Sequence, residues 1–289
     1  MRYKITHTTC YSYSQAVRLR PHTILLCPRS DGAQCLKQFD IQIEPPPKQQ
    51  TYFLDINGNT CLKISFEDAL SALKITTTSE VVTQRENPFD YLSEPWALSF
   101  PVDYPSGLAA QLSPYLAALP GRGLTDANMP SVLELAQSVV QKSGGNVGQF
   151  LTQLAQDIQS RCNYQQRLEG PALAPAVTLS QGSGTCRDFA VLFMAVCRAV
   201  GLAARFVSGY QEGDPDGPHD LHAWAEVYVP GGGWRGFDPT LGLAVSDRHI
   251  VLSTAIAPEQ AGPVIGQLQP GQTVQTTLES NIELEAWAK

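Results

Sequence analysis

Cys186, His222 and Asp238 are the residues whose types and surroundings point to covalent chemistry. A cysteine nucleophile needs a base within hydrogen-bond reach and a third group to orient that base. Cys186 lies in Gly182-Ser183-Gly184-Thr185-Cys186-Arg187-Asp188-Phe189-Ala190, where a glycine-rich turn meets an apolar run. From Phe189 to Cys197 there is no polar residue, and Gly201 supplies a stop. The pattern predicts a buried helix with the cysteine in its first turn. There the sulfur faces unpaired N–H groups and the positive end of the helix dipole, and both stabilise negative charge on it.

The base must come from five histidines: His7, His22, His219, His222 and His249. His222 opens a strand-like run, His-Ala-Trp-Ala-Glu-Val-Tyr-Val, and after Pro230-Gly231-Gly232-Gly233 the chain returns as Trp234-Arg235-Gly236-Phe237-Asp238-Pro239. This reads as a hairpin whose register decides the chemistry. A four-residue loop places Asp238 opposite Ala225, on the face away from His222. A three-residue loop or a glycine bulge places it opposite Trp224, on the same face as His222 and diagonal to it. Pro239 then ends the strand.

In the expected roles, Cys186 attacks a carbonyl carbon, His222 takes and returns its proton, and Asp238 fixes the imidazole tautomer. The Cys186 N–H donates to the oxyanion, with a second donor expected from Asn163 or Tyr164. Asp188 either favours the helix dipole or supports the site, and it is kept as a candidate beside the substrate. Trp224 and Trp234 line a groove or pack in the core, with core favoured for at least one. His7 and His22 are expected at the surface or a domain interface. His219-x-x-His222 lacks a third ligand at regular spacing, and Gly182-Ser183-Gly184 is followed by no P-loop lysine. Neither a metal nor another cofactor is expected.

Several elements must position these groups. Strand-like runs at 2–13, 36–43, 50–55, 60–66 and 72–83, with turn signals between them, make 1–84 an antiparallel β-sandwich domain. One of these turns, Asn57-Gly58-Asn59, reads as a hairpin loop. Residues 85–130 form a connector rich in proline with aromatic anchors, with a short helix near 108–119. The catalytic domain is placed at 131–289. It opens with a helix capped by the box Ser131-Val132-Leu133-Glu134, and Asn146 caps the next. Strand-like segments at 203–210, 222–229, 234–238 and 274–284 follow.

The chain has 289 residues, 43% hydrophobic and 16% charged, which suits two globular domains. A net charge of −7 gives no electrostatic reason to expect nucleic acid or an anionic membrane. Seven cysteines at irregular spacing suggest neither a disulfide framework nor a zinc ribbon. Residues 1–10 hold no apolar segment of signal-peptide length, so the chain reads as cytoplasmic.

Gly184-Thr185-Cys186-Arg187-Asp188-Phe189-Ala190, the run Gly201 to Tyr210, His222-Ala223-Trp224-Ala225-Glu226-Val227 and Trp234-Arg235-Gly236-Phe237-Asp238-Pro239-Thr240 together resemble the bacterial transglutaminase-like superfamily. The opening β domain, with Asp55-Ile56-Asn57-Gly58-Asn59, is similar to the N-terminal domain that accompanies this core. Asp247-Arg248-His249-Ile250 and Pro263-Val264-Ile265-Gly266 are similar to the tail. The resemblance implies an α+β protein in which the β-sandwich precedes a papain-like core of helices packed on an antiparallel sheet. It implies the triad Cys186, His222 and Asp238, working without a metal. The expected activity is a thiol-dependent hydrolase of peptide or amide bonds, a cysteine protease or amidase acting on a protein or peptide acyl donor. The alternatives are transglutaminase-type transfer to an amine and a non-catalytic peptide-binding module. The loop from Gln211 to Leu221, rich in Gly, Pro and Asp, departs from the family pattern and bears on access to Cys186.

Overall fold

A computed structural model of the chain describes residues 1–117, 130–167, 170–214, 217, 219–271 and 274–288. The N-terminal part is built from Arg2–Val17 (β1), His22–Ile24 (β2), Gln34–Glu44 (β3), Gln49–Leu54 (β4), Thr60–Ser65 (β5) and Leu70–Thr83 (β6). Side chains alternate as a half-buried sheet requires: Tyr3, Ile5, His7 and Thr9 of β1 point inward. β4 and β5 form the expected hairpin, with Leu54 paired to Thr60 across the Asp55–Asn59 loop.

The connector carries helix Ser106–Leu116 (α1). This covers most of the expected 108–119; residues 118 and 119 lie outside the described residues. Aromatic anchors tie the segment down. Phe100 meets Phe150 edge-on at 5.0 Å, and Arg235 lies over the Tyr91 ring at 4.5 Å.

The core domain follows as Pro130–Lys142 (α2), Val147–Arg161 (α3), Asn163–Tyr164 (β7), Pro175–Gln181 (α4), Ser183–Gly184 (β8) and Cys186–Ala199 (α5). Asn146 caps α3, accepting the Gln149 N–H at 2.9 Å. The box expected at Ser131 is displaced, because α2 already begins at Pro130 and Ser131 sits inside its first turn. Proline is pre-organised for that position, since its missing N–H would have no partner there. Then come Ala204–Gln211 (β9), His222–Val229 (β10), Gly233–Asp238 (β11), Leu243–Ala244 (β12) and His249–Ala255 (β13). They form one antiparallel sheet in the order β12-β11-β10-β9-β13. Helix α5, buried along most of its length, packs between this sheet and α2 and α3, and Phe193 stacks on Phe237 at 5.8 Å. The fold is α+β, as expected.

Two features depart from the sequence reading. Strand β13 was not anticipated as an element. It is buried at every position, so its face pattern carries no alternation to read. The chain also ends where it began. Val264–Ile265 (β14) pairs with β2, and Thr276–Trp287 (β15) pairs with β1 from Arg2↔Trp287 to Tyr13↔Thr276. The sandwich is therefore two four-stranded sheets, β15-β1-β6-β3 and β14-β2-β5-β4. Residues assigned by sequence to a domain at 131–289 complete the one drawn at 1–84. Long-range strand pairing leaves no local mark by which a boundary could be placed.

Two buried amides join the domains. β13 is an edge strand, and side chains satisfy its outer backbone groups. Gln34 donates to Val251 O at 2.9 Å and accepts Val251 N–H at 2.7 Å. Asn59, fully buried, donates to Thr254 O at 2.8 Å and accepts Thr254 N–H at 2.9 Å. Each amide imitates a paired strand. We expect Asn59→Ala to lower the unfolding free energy by about 2–4 kcal/mol, since it strands a buried N–H and C=O. Urea unfolding of the full chain measures it, and a loss within about 0.5 kcal/mol would mean that water replaces the amide.

Candidate active site

The site is assembled from α5 and one hairpin. Thr185 caps α5: its Oγ1 accepts the Asp188 N–H, and the Asp188 carboxylate accepts the Thr185 N–H at 2.8 Å. Cys186 is thus the first helical residue, and its N–H belongs to the turn whose amides lie outside the helix ladder. Its side chain is partly exposed. Gly184 is required just upstream, because a Cβ there would lie 2.9 Å from the Asp188 Cβ.

The hairpin takes the three-residue form. Val229 pairs with Gly233 and Ala225 with Phe237, leaving Pro230, Gly231 and Gly232 as the loop. Gly231 has φ +83°, and a Cβ on it would strike the Leu92 carbonyl, so glycine is needed twice over. This register turns Asp238 to the face of His222, and His222 Nε2 lies 2.7 Å from Asp238 Oδ2. With Nε2 so engaged, Nδ1 is the nitrogen left for the hydrogen bond between His222 and Cys186.

Asp238 is fully buried and holds four donors. Oδ1 accepts the N–H groups of Thr240 at 2.9 Å and Leu241 at 3.3 Å. Oδ2 accepts from His222 and also from His249 Nε2 at 3.0 Å. Burial alone would raise the Asp238 pKa, but the hydrogen bonds from His222 and His249 hold it far below the usual carboxylate range. Burial likewise opposes the His222 imidazolium, yet hydrogen bonds with Asp238 and Cys186 outweigh it and hold the pKa up at about 10. His249 goes the other way, lowered by burial.

The remaining candidates separate. Asp188 does not face substrate. It is fully buried behind the site and accepts Thr185 Oγ1 at 3.0 Å, Leu173 N–H at 2.7 Å and Arg167 Nη2 at 2.8 Å. Trp224 lines no groove. Its buried ring packs with Val207, Val245 and Val251, 6.1 Å from the His222 ring. It lies on the face of the sheet away from α5, where these valines and His249 cover it. Trp234 packs on Tyr115, Tyr228 and the Arg205 guanidinium. Tyr164 does stand at the site, exposed and close enough to Cys186 for the sulfur's charge to act on its hydroxyl. Asn163 commits its backbone N–H to Gly182 O at 2.8 Å, and Gln165 does the same with Gly184 O, so only Tyr164 has its amide turned away from that pairing. Asn163 therefore offers no backbone donor to an oxyanion.

Of the two places expected, His7 takes the domain interface, while His22 is buried within the β domain. His7 is buried between the domains, with Nδ1 2.9 Å from the Tyr210 hydroxyl, and His22 contacts Arg20 O. His219 turns to Glu212 O and not to His222. Sequence reasoning missed His249. Its only signal was its place in the Asp247–Ile250 run. His222, Asp238 and His249 place three ligand atoms within 4.8 Å of one another. They are the described residues that could hold a metal ion. Both Nε2 atoms are engaged with one oxygen, so an ion there would replace the bonds that orient His222.

Asp188 ties the cysteine turn to pH. Burial would raise its pKa, but the Thr185 and Leu173 amides and Arg167 outweigh it and hold it below the usual value. A depressed folded pKa adds stability that is present above the unfolded value of about 3.9 and is lost as pH falls through the folded one. We expect Asp188→Asn to cost about 2–4 kcal/mol at pH 7 and to flatten the acid limb of the stability curve. Urea unfolding at neutral and acid pH tests both.

Two segments of the chain match known families. Residues 133–239 match the transglutaminase-like superfamily, and residues 3–82 match the bacterial transglutaminase-like N-terminal region. An uncharacterized protein of Mycobacterium tuberculosis is 29% identical over 269 residues, covering 87% of this chain and 82% of its own. A protein-glutamine gamma-glutamyltransferase of Pseudomonas aeruginosa is 41% identical over 83 residues, 26% of this chain and 12% of its own. A solved structure of a candidate cysteine protease from Cytophaga hutchinsonii superposes with a TM-score of 0.75 at 21% identity, covering 100% of this chain and 91% of that one; the likeness is one of fold. The chain therefore carries a transglutaminase-like core at residues 133–239 and a bacterial transglutaminase-like N-terminal region at residues 3–82.

Proposed function

We propose that the protein is a thiol-dependent hydrolase of peptide or amide bonds, with Cys186 as nucleophile, His222 as base and acid, and Asp238 as its orienter. The observation that carries the reading is the hydrogen-bonded line from a buried carboxylate, through an imidazole, to a partly exposed sulfur at a helix N-terminus. The His222 pKa of about 10 keeps the imidazolium in place at neutral pH, and its charge stabilises a thiolate. Sγ bonds to the substrate carbonyl carbon, and the oxyanion faces the Cys186 N–H. The C–N bond then breaks as His222 passes its proton to the leaving amine, giving a thioester. Water, deprotonated by His222, attacks the thioester and releases acid and thiol. The substrate of this reading is a protein or peptide acyl donor.

Transfer to an amine is the second reading. It is favoured by the identity with a named glutamyltransferase over a short segment. Water reaches a partly exposed thioester without a dedicated site, whereas an amine must be bound to compete, so hydrolysis is placed first.

Mass spectrometry of Cys186 after incubation with peptide libraries, with and without a primary amine, separates the two. A trapped acyl group lost to water supports hydrolysis, and one moved to the amine supports transfer. Cys186→Ala should abolish acylation, and Asp238→Asn should slow turnover by about 10³–10⁴-fold. The raised His222 pKa sets the alkaline side: kcat/KM should fall through about pH 10 as the imidazolium is lost. No acylation of Cys186, with alkylation unaffected by His222→Ala, would sink the enzyme reading and leave a peptide-binding module.

A further inference from the structure

His249 has no part in the reaction as written, yet it touches the carboxylate on which the reaction depends. It opens β13, two strands removed from β10 and three from β11 in the sheet order, so no local feature brings it there. Its ring meets the Trp224 ring edge-on at 5.1 Å, and Trp224 in turn lies beside His222. Across this aromatic floor, His249 Nε2 reaches the same Asp238 oxygen that His222 uses.

The proton positions follow from chemistry. A contact of 3.0 Å to a carboxylate oxygen requires a proton on His249 Nε2. His249 Nδ1 is buried without a hydrogen-bond partner among the described residues. A proton there would be a buried, unpaired N–H on a cation, so the ring is neutral with Nε2–H. The groups facing His222 are Cys186 from α5, Asp238 from β11 and this neutral His249 from β13.

We infer that His249 is a positioning residue: its Nε2–H holds the Asp238 carboxylate so that Oδ2 stays aimed at His222. The inference rests on the reading of Cys186 as a nucleophile paired with His222. The Thr240 and Leu241 amides grip Oδ1 from the turn after β11 and do not reach Oδ2, which among the described residues bonds only His222 and His249. His249 supplies the second point, from a strand clamped by Gln34 and Asn59 of the β domain. The β domain thereby fixes the far end of the active-site hydrogen-bond line.

The test is the pH profile of Cys186 alkylation by iodoacetamide in the full-length chain, which needs no knowledge of the substrate. His249→Phe removes the donor and keeps the aromatic contact with Trp224. The rise of its profile should move up by about one pH unit, because an unaimed carboxylate supports the imidazolium less. His249→Gln, whose amide N–H can reach Oδ2, should stay with the wild type. Thermal unfolding of each variant separates this shift from a loss of fold. An unmoved His249→Phe profile, or a His249→Gln profile displaced as far as that of His249→Phe, overturns the inference. Identical profiles for the wild type and His222→Ala overturn the nucleophile reading itself, and the inference with it. Imidazole ¹⁵N spectra of the wild type give a check that needs no variant. They should show His249 neutral and protonated on Nε2 across the alkylation rise, and a doubly protonated ring or an Nδ1–H tautomer overturns the inference.

Discussion

A single buried carboxylate organises this molecule. Asp238 has no contact with solvent, and an ionised carboxylate in that position costs several kcal/mol unless its lone pairs are filled. Two backbone amides and two imidazoles fill them. Each donor makes a demand on the fold. The amides need the turn that follows β11. His222 needs a hairpin loop of odd length. His249 needs β13 at the far edge of the sheet. Once these are met, the charge on Asp238 holds an imidazolium beside Cys186, and the helix N-terminus sits opposite it.

The two domains are joined at an edge strand of the core sheet. An edge strand exposes a row of unpaired backbone groups, and proteins cover such edges. β13 is covered by Gln34 and Asn59, two side-chain amides from loops and strands of the β-sandwich. Tyr210, Ile250 and Leu252 of the core sheet enter the same apolar cluster as Tyr3, Ile5 and Ile64. The C-terminal strand then closes the sandwich against β1. The chain thus passes from sandwich to core and back, and β13 lies on the return path. Among the described residues no helix is long and apolar enough to cross a membrane.

Much of this could be read from local pattern. The helix after Thr185 announces itself by a glycine turn and an unbroken apolar run. Asn146 caps a helix because its side chain can take the Gln149 amide. The strands of the sandwich show period two, and three consecutive glycines permit the register that brings His222 and Asp238 together. Failures fell where a residue's role depends on distant partners. Asp188 looked like a charge at a helix start; that part is right, but its burial against Arg167 and Leu173 is set by a loop about twenty residues upstream. Trp224 was a candidate for a groove as well as for the core, with core favoured for at least one of it and Trp234, since period two says which face a residue is on and not what covers that face.

By itself the sequence determined the local elements, the chemical types available at each turn, and the two hairpin registers between which the structure then chose. These are properties of neighbours in the chain, fixed by backbone sterics, capping and side-chain period. Only the tertiary structure decided that the last strand belongs to the first domain, that two amides clamp β13, and that a second histidine shares the Asp238 oxygen. Those contacts join residues from Asn59 and Thr254 to Asp238 and His249 that no periodicity relates. Their energy comes from removing buried polar groups from water together, which happens only when the whole sheet is in place.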